Sequence, residues 1–266
     1  MIFVVHLRDL RGRREVILAK TFEALMKAEN DNRVRKEVVK VLDARPRPAT
    51  YIPVSFEANP QVLEEYHRMK RTLLSTDPEK KITTILFLSS TSGEGTSTVL
   101  KNFAITLASG GERVLLVDAN LRNPSLHDSF NLEKIIGLTE LLSGNLTLKD
   151  VIKKTEVKNL SVITSGVPPS NPFSLFESNS WEYLIAQMKA QADWVLFDSS
   201  PINAYNDANP LAAKLDGVVM VVEAEKTRWE VAQNARDRIN NGKVNLLGTI
   251  LNRRKMHIPD WAYKLL

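Results

Sequence analysis

The chain contains no cysteine, which excludes disulfides, thiolate nucleophiles and cysteine-type zinc sites. Its four histidines are scattered and offer no metal-ligand spacing, so any metal is expected to be Mg²⁺ on oxygen ligands. No apolar run approaches the roughly 20 residues that a membrane-spanning helix requires. The opening MIFVVHL is short and turns polar too soon to read as a signal peptide, so a cytoplasmic chain is expected. Tyrosine is scarce as well, with five in 266 residues.

Excess positive charge is missing from most of the chain. The net charge of +5 lies within residues 1–50, which hold 12 Lys and Arg against 7 Asp and Glu; the rest carries 24 of each. A nucleic-acid binder normally shows a basic face on its folded domain, so the neutral body argues for a protein with no nucleic-acid partner. The basic arm suits an acidic partner, an anionic membrane surface, or simply a solvated helical face.

What the chain does have is 43% hydrophobic residues, enough for one domain of ordinary size plus an appendage. Between Glu15 and Leu42, Ile17, Phe22, Leu25, Val34, Val38 and Val41 recur at helical spacing, with a break near Glu29 to Asn32. The closely spaced prolines of ARPRPATYIP then predict a stiff linker. This divides the chain into a basic helical extension (1–45), a linker (46–60) and a main domain (61–266). The domain opens with a helix that has Pro60 near its start and Val62, Leu63, Tyr66, Met69 and Leu73 on one side.

Beyond Lys81 short apolar runs alternate with helical stretches: TILFLSS, RVLLVDAN, LSVITSG, DWVLFDSS, GVVMVVEAE and NLLGTILN. Such runs predict an α/β fold with a mostly parallel sheet covered by helices on both faces. Ligands of open α/β sheets sit beyond the carboxyl ends of the strands, and there the sequence places Ser89, Ser90, Asp118, Asp198 and Asn252. In the loop that follows the first run, Gly93 and Gly95 let the backbone curl so that its N–H groups face inward. The next helix adds the positive end of its dipole, which completes an anion cradle. Ser97 stands where a phosphate loop carries its Mg²⁺-binding hydroxyl, but Thr96 occupies the lysine position and the first glycine of the strict pattern is missing. By itself SGEGTS reads equally as a tight turn. Asp118 and Asp198 end two buried runs, where a lone carboxylate is costly unless it meets a cation or hydrogen-bond donors.

The segments SSTSGEGTSTVLKNFA, VLLVDANLRNPSLH, GLTELLSGNLTLKDVI, NLSVITSGVPPSNP, DWVLFDSSPINAYNDA and GTILNRRK, in this order, resemble the bacterial tyrosine kinases of capsule and exopolysaccharide biosynthesis. Those kinases are relatives of the deviant P-loop ATPases that include the septum-site and partition proteins. The resemblance spans roughly residues 61 to 255. It implies a P-loop fold, ATP or ADP with Mg²⁺ as cofactors, and a loop of Ser92, Gly93, Glu94, Gly95, Thr96, Ser97 and Thr98 around the phosphates. It gives Ser97, Asp118 and Asp198 to the metal and makes Asp118 and Asp198 the catalytic pair. Asn252 and Arg253 would contact the base, and Asp207 would be the acidic residue downstream of Asp198. Glu65, Arg68 and Arg71 fit the E-x-x-R-x-x-R motif that assembles subunits into a homo-oligomer. A transmembrane polysaccharide chain-length regulator is the implied partner, through which the chain would reach the membrane.

Three positions depart from that pattern. Thr96 removes the lysine that neutralises the phosphates, and Asn120 replaces an acidic residue, which leaves the metal site less negative. Tyr263 is the lone tyrosine in a tail where the family has a cluster, and with Trp261 and Leu265 it could equally serve docking. The expectation is a kinase-like regulator with impaired phosphoryl transfer. The alternatives are an active autokinase using another cation, such as Arg122, Lys101 or a neighbour's arginine, or a partition- or septum-type ATPase.

Overall fold

The computed structural model describes residues 60–76, 81–144, 146–207, 209–242 and 244–254. The predicted extension, all of the linker but Pro60, and Tyr263 lie outside the described residues. Among the described residues no helix is long and apolar enough to cross a membrane.

The helix predicted after the linker is α1 (Pro60–Thr76). Its Leu73 is buried, and Tyr66 and Met69 pack against the same core cluster. The six apolar runs are all strands: β1 (Thr84–Ser89), β2 (Val114–Asp118), β4 (Leu160–Ile163), β5 (Trp194–Asp198), β6 (Gly217–Glu223) and β7 (Leu246–Asn252). A two-residue strand, β3 (Lys153–Lys154), pairs antiparallel with β4. It was not predicted, because two lysines carry no apolar signal. The sheet order is β3-β4-β2-β5-β1-β6-β7, parallel apart from β3.

Alternate residues of each strand face opposite sides, as the pleat requires. On one side Ile85, Phe87, Leu116, Leu196 and Val219 meet Val99, Leu100, Phe103 and Leu107 of α2 (Thr96–Ser109). On the other side Leu86, Leu88, Val117, Phe197 and Met220 meet Trp181 and Met188 of α7 (Ser180–Gln191) and Ile239 of α9 (Trp229–Asn241). Shorter helical turns fill the connections: α3 (Leu126–Ser129), α4 (Leu138–Leu142), α5 (Leu148–Val151), α6 (Pro172–Phe176) and α8 (Asn209–Ala212). Both faces of the sheet are covered, which explains why its strands read as unbroken apolar runs rather than alternating ones.

The strand order positions the site. β1 lies next to β5, and β5 next to β2, with Asp118 and Asp198 directly opposite each other in the β2–β5 register. Both aspartates therefore stand to one side of the loop that follows β1. Asn252 ends β7, on the other side of β1 beyond β6.

Candidate nucleotide site

The loop after β1 is shaped by its two glycines and by a buried carboxylate. Gly93 and Gly95 both have φ of 89°, a left-handed conformation costly for residues with a Cβ. At Gly95 a Cβ would also lie 2.4 Å from Asn252 Nδ2, so a larger residue there would displace the Asn252 amide. Glu94, expected at the phosphates, turns inward instead. Its carboxylate accepts hydrogen bonds from the Ser90 N–H (2.7 Å), the Thr91 N–H (2.9 Å), the Ser90 hydroxyl (2.8 Å) and the Thr227 hydroxyl. Glu94 thus holds the loop closed, and its charge is spent on donors of the protein itself.

From the far side, Asn252 Nδ2 donates to Glu94 O (2.8 Å) and Arg253 Nη1 to Gly93 O (3.2 Å), while Arg253 also pairs with Glu223 at 3.1 Å. These two residues, expected at the base, are placed here as a brace on the loop backbone. Ser92 and Thr98 lie exposed on the loop and at the start of α2.

The acidic side of the site is closed to solvent. Asp118 and Asp198 are both fully buried. Asp198 Oδ2 accepts a 2.5 Å hydrogen bond from the Ser97 hydroxyl, and Asp118 Oδ2 accepts the N–H groups of Ser125 and Leu126 at 3.1 Å each. The second oxygen of each carboxylate has no partner, nor does the buried Thr96 hydroxyl. Burial, followed by the charge of Asp118, pushes the Asp198 carboxyl far above the usual carboxylate range. Burial also raises Asp118, though the backbone N–H groups of Leu126, Ser125 and Asn120 and the charge of Lys134 hold it lower.

Two adjacent buried carboxylates with unpartnered oxygens are expensive unless a cation arrives. The oxygen-only donor set of Ser97, Asp118 and Asp198 fits Mg²⁺. Among the described residues no cluster of three or more His, Asp or Glu could enclose a metal alone, so phosphate and water would have to complete its shell. Bound Mg²⁺ would neutralise phosphate charge as a Lewis acid. The residues of this chain would bind and orient: the loop N–H groups at the phosphates, Ser97 and Asp198 at the metal.

Asn120 keeps the surrounding turn in order and contributes no charge. Its Oδ1 accepts from the Asn123 N–H (3.2 Å) and the Ser200 hydroxyl (2.7 Å), which ties the loop after β2 to the loop after β5. Arg122, a candidate replacement cation, is committed elsewhere. It makes a two-pronged bond to Asp207 and lies 4.3 Å over the Tyr205 ring. Lys101 is half-buried on the flank of α2, and burial lowers its pKa. Glu65 and Arg68 form an exposed ion pair at 3.4 Å on α1, with Arg71 exposed one turn further along.

Sequence reading missed Ser200 and Thr227. The stretch TRWE carries the pattern of a helix capping box, yet the Thr227 hydroxyl serves Glu94, 133 residues away in sequence. A bond of that separation leaves no local signal.

A family model described as an AAA domain matches residues 82–244. The chain is 35% identical over 193 residues to the tyrosine-protein kinase YwqD of Bacillus subtilis, covering 73% of this chain and 81% of that protein. It is 35% identical over 192 residues to the tyrosine-protein kinase CpsD of Streptococcus agalactiae, covering 71% and 83%. The kinase domain of the Escherichia coli tyrosine kinase ETK superposes with a TM-score of 0.74 at 25% identity, over 81% of this chain and 86% of that domain. The chain belongs to the bacterial tyrosine-protein kinase family.

Proposed function

We propose that this chain is a tyrosine-autokinase-like P-loop protein that binds Mg-nucleotide and regulates exopolysaccharide or capsule assembly, with phosphoryl transfer impaired. One observation carries the reading. The left-handed glycines of the loop after β1, the Ser97 hydroxyl on Asp198 and the adjacent Asp118 support a nucleotide site, while Thr96, at the position read as the lysine's, has a buried hydroxyl with no partner. A neutral hydroxyl there cannot supply the charge-assisted contact of an ammonium, worth roughly 1.5–3 kcal/mol in binding. The lost charge matters more where negative charge moves during transfer. Asn120 removes a further negative charge from the metal side, so a looser Mg²⁺ site goes with the slower transfer.

The family resemblance supports a role beside a transmembrane polysaccharide chain-length regulator, which would hold the chain at the inner face of the membrane. It also supports a homo-oligomer built through Glu65, Arg68 and Arg71. The test is calorimetric titration of the full chain with Mg-ADP and Mg-ATP, followed by phosphotyrosine mapping by mass spectrometry. Binding with little or no phosphotyrosine is expected. Rapid autophosphorylation, at Tyr263 or elsewhere, would overturn the impaired part of the reading, and absence of any nucleotide binding would overturn it whole.

A further inference from the structure

If Thr96 leaves the phosphate cradle without its own cation, the question is which cation the fold brings to the acidic pair. Arg122 is bound by Asp207 and Arg253 by Glu223 and Gly93 O, so neither is available without breaking an ion pair. The loop between α3 and α4, residues 130–137, offers another. It leaves α3 directly beside Asp118, whose Oδ2 holds the N–H groups of Ser125 and Leu126 at the start of that helix.

This loop is pinned on both sides of Lys134. Before it, the Leu132 N–H donates to His127 O at 2.8 Å, and Phe130 and Leu132 pack against the core. After it, Lys153 Nζ donates to Ile136 O and to the Thr164 hydroxyl, both at 2.6 Å, and also reaches Glu133 O. The buried Glu140 takes the Gly137 N–H at 2.8 Å and the Val167 N–H at 3.0 Å, which fixes the loop's exit onto the end of β4. The Lys153 ammonium thus brackets Lys134 and Ile135 through the carbonyls of Glu133 and Ile136. Its effect is to hold Lys134 in place at the carboxyl edge of the sheet.

Lys134 itself is half-buried and makes no hydrogen bond or ion pair among the described residues. Asp118 Oδ1 is buried and also without a partner. The Lys134 charge is felt at both Asp118 and His127.

We infer that Lys134 supplies, from the β2–β4 side, part of the positive charge that Thr96 no longer provides, facing the terminal phosphate of a nucleotide held by the Gly93–Ser97 loop; it steadies the bound nucleotide and does not replace the in-loop ammonium on which fast transfer depends. It approaches from the side of the aspartate pair rather than from within the loop. It therefore supports the terminal phosphate more than the inner ones, and favours a triphosphate over a diphosphate. The inference rests on the nucleotide reading above.

A thermodynamic cycle on the full chain tests it: wild type, Lys134→Gln, Thr96→Lys and the double variant, each titrated by calorimetry with Mg²⁺ plus a non-hydrolysable ATP analogue and with Mg-ADP. Thermal unfolding of each variant is followed alongside. In the Thr96 background Lys134→Gln is expected to weaken the analogue about tenfold and Mg-ADP by less, while Lys134→Arg retains most of the affinity. In the Thr96→Lys background the same change should cost less than about twofold, because the ordinary cation is back. Equal losses in both backgrounds, or no loss in either, would overturn the role of Lys134 while leaving the nucleotide reading standing. Binding by Thr96→Lys but not by wild type would overturn it too, since Lys134 would then compensate for nothing. No binding by any variant would sink the nucleotide reading itself.

Discussion

Asp198 is a carboxylate held under strong electrostatic tension. Its carboxyl is buried against Asp118 and accepts a hydrogen bond from the Ser97 hydroxyl. An acid whose pKa is raised by folding gives stability that is full below its unfolded value, about 4, and lost as pH climbs through the folded value, about 8. The metal-free protein should therefore lose thermal stability between about pH 4 and pH 8, and Asp198→Asn should flatten that decline. The same variant should no longer gain stability from added Mg²⁺ with ADP. Melting curves across the pH range, with and without Mg-ADP, check both, and a wild type whose melting temperature rises steadily through that range would contradict the assignment. The positions of Asp118, Asp198 and Ser97 were legible in the sequence because each ends a strand or opens a helix at a recognisable spacing. Glu94 was not: a glutamate inside a phosphate loop reads as a ligand contact, and only the structure shows four donors turned onto its carboxylate.

Among the elements, β1 and β6 are joined at their starts as well as along their ladder. Asp216, just before β6, accepts the Thr83 and Thr84 N–H groups at 2.9 and 2.8 Å and pairs with Lys189 of α7 at 2.9 Å. Burial alone would raise this carboxyl, but the bonds from Lys189, Thr83 and Thr84 outweigh it and hold it at about 2. Its contribution is present above about pH 4 and lost as pH falls through about 2. Asp216→Ala should cost about 1–3 kcal/mol at neutral pH and less in acid, measurable by urea unfolding at pH 7 and pH 3. An equal loss at both would mean that packing rather than charge is responsible. The six long strands were readable because a sheet covered on both faces demands continuous apolar runs. The Lys153–Lys154 strand and the loop that Lys153 pins were unreadable, since backbone carbonyls as partners leave no trace in the side-chain pattern.

At the scale of the whole molecule, the homo-oligomer proposed above would be built through α1. The Glu65–Arg68 pair is exposed at both ends, so within one chain it is worth a few tenths of a kcal/mol at most. Replacing Arg68 and Arg71 by alanine should leave the melting temperature unchanged within about 1 °C while reducing the sedimentation coefficient of any oligomer. Unchanged sedimentation of an oligomeric wild type would remove the motif from assembly. The helix and its charged face were legible in the sequence, but the groove of about 540 Å³ that Glu65 and Arg68 border with β7 was not, because it depends on which strand forms the sheet edge.

Thr96 is the residue on which the proposed function depends most. A preserved cradle that lacks one ammonium should bind nucleotide and transfer slowly, and restoring the ammonium should speed the chemistry. Single-turnover transfer of the γ-phosphoryl from Mg-ATP to protein tyrosine, measured at saturating nucleotide for wild type and Thr96→Lys, tests this most directly. The account predicts a gain of roughly 10- to 100-fold on restoring the lysine. Equal rates in the two proteins, with wild type already fast, would contradict it.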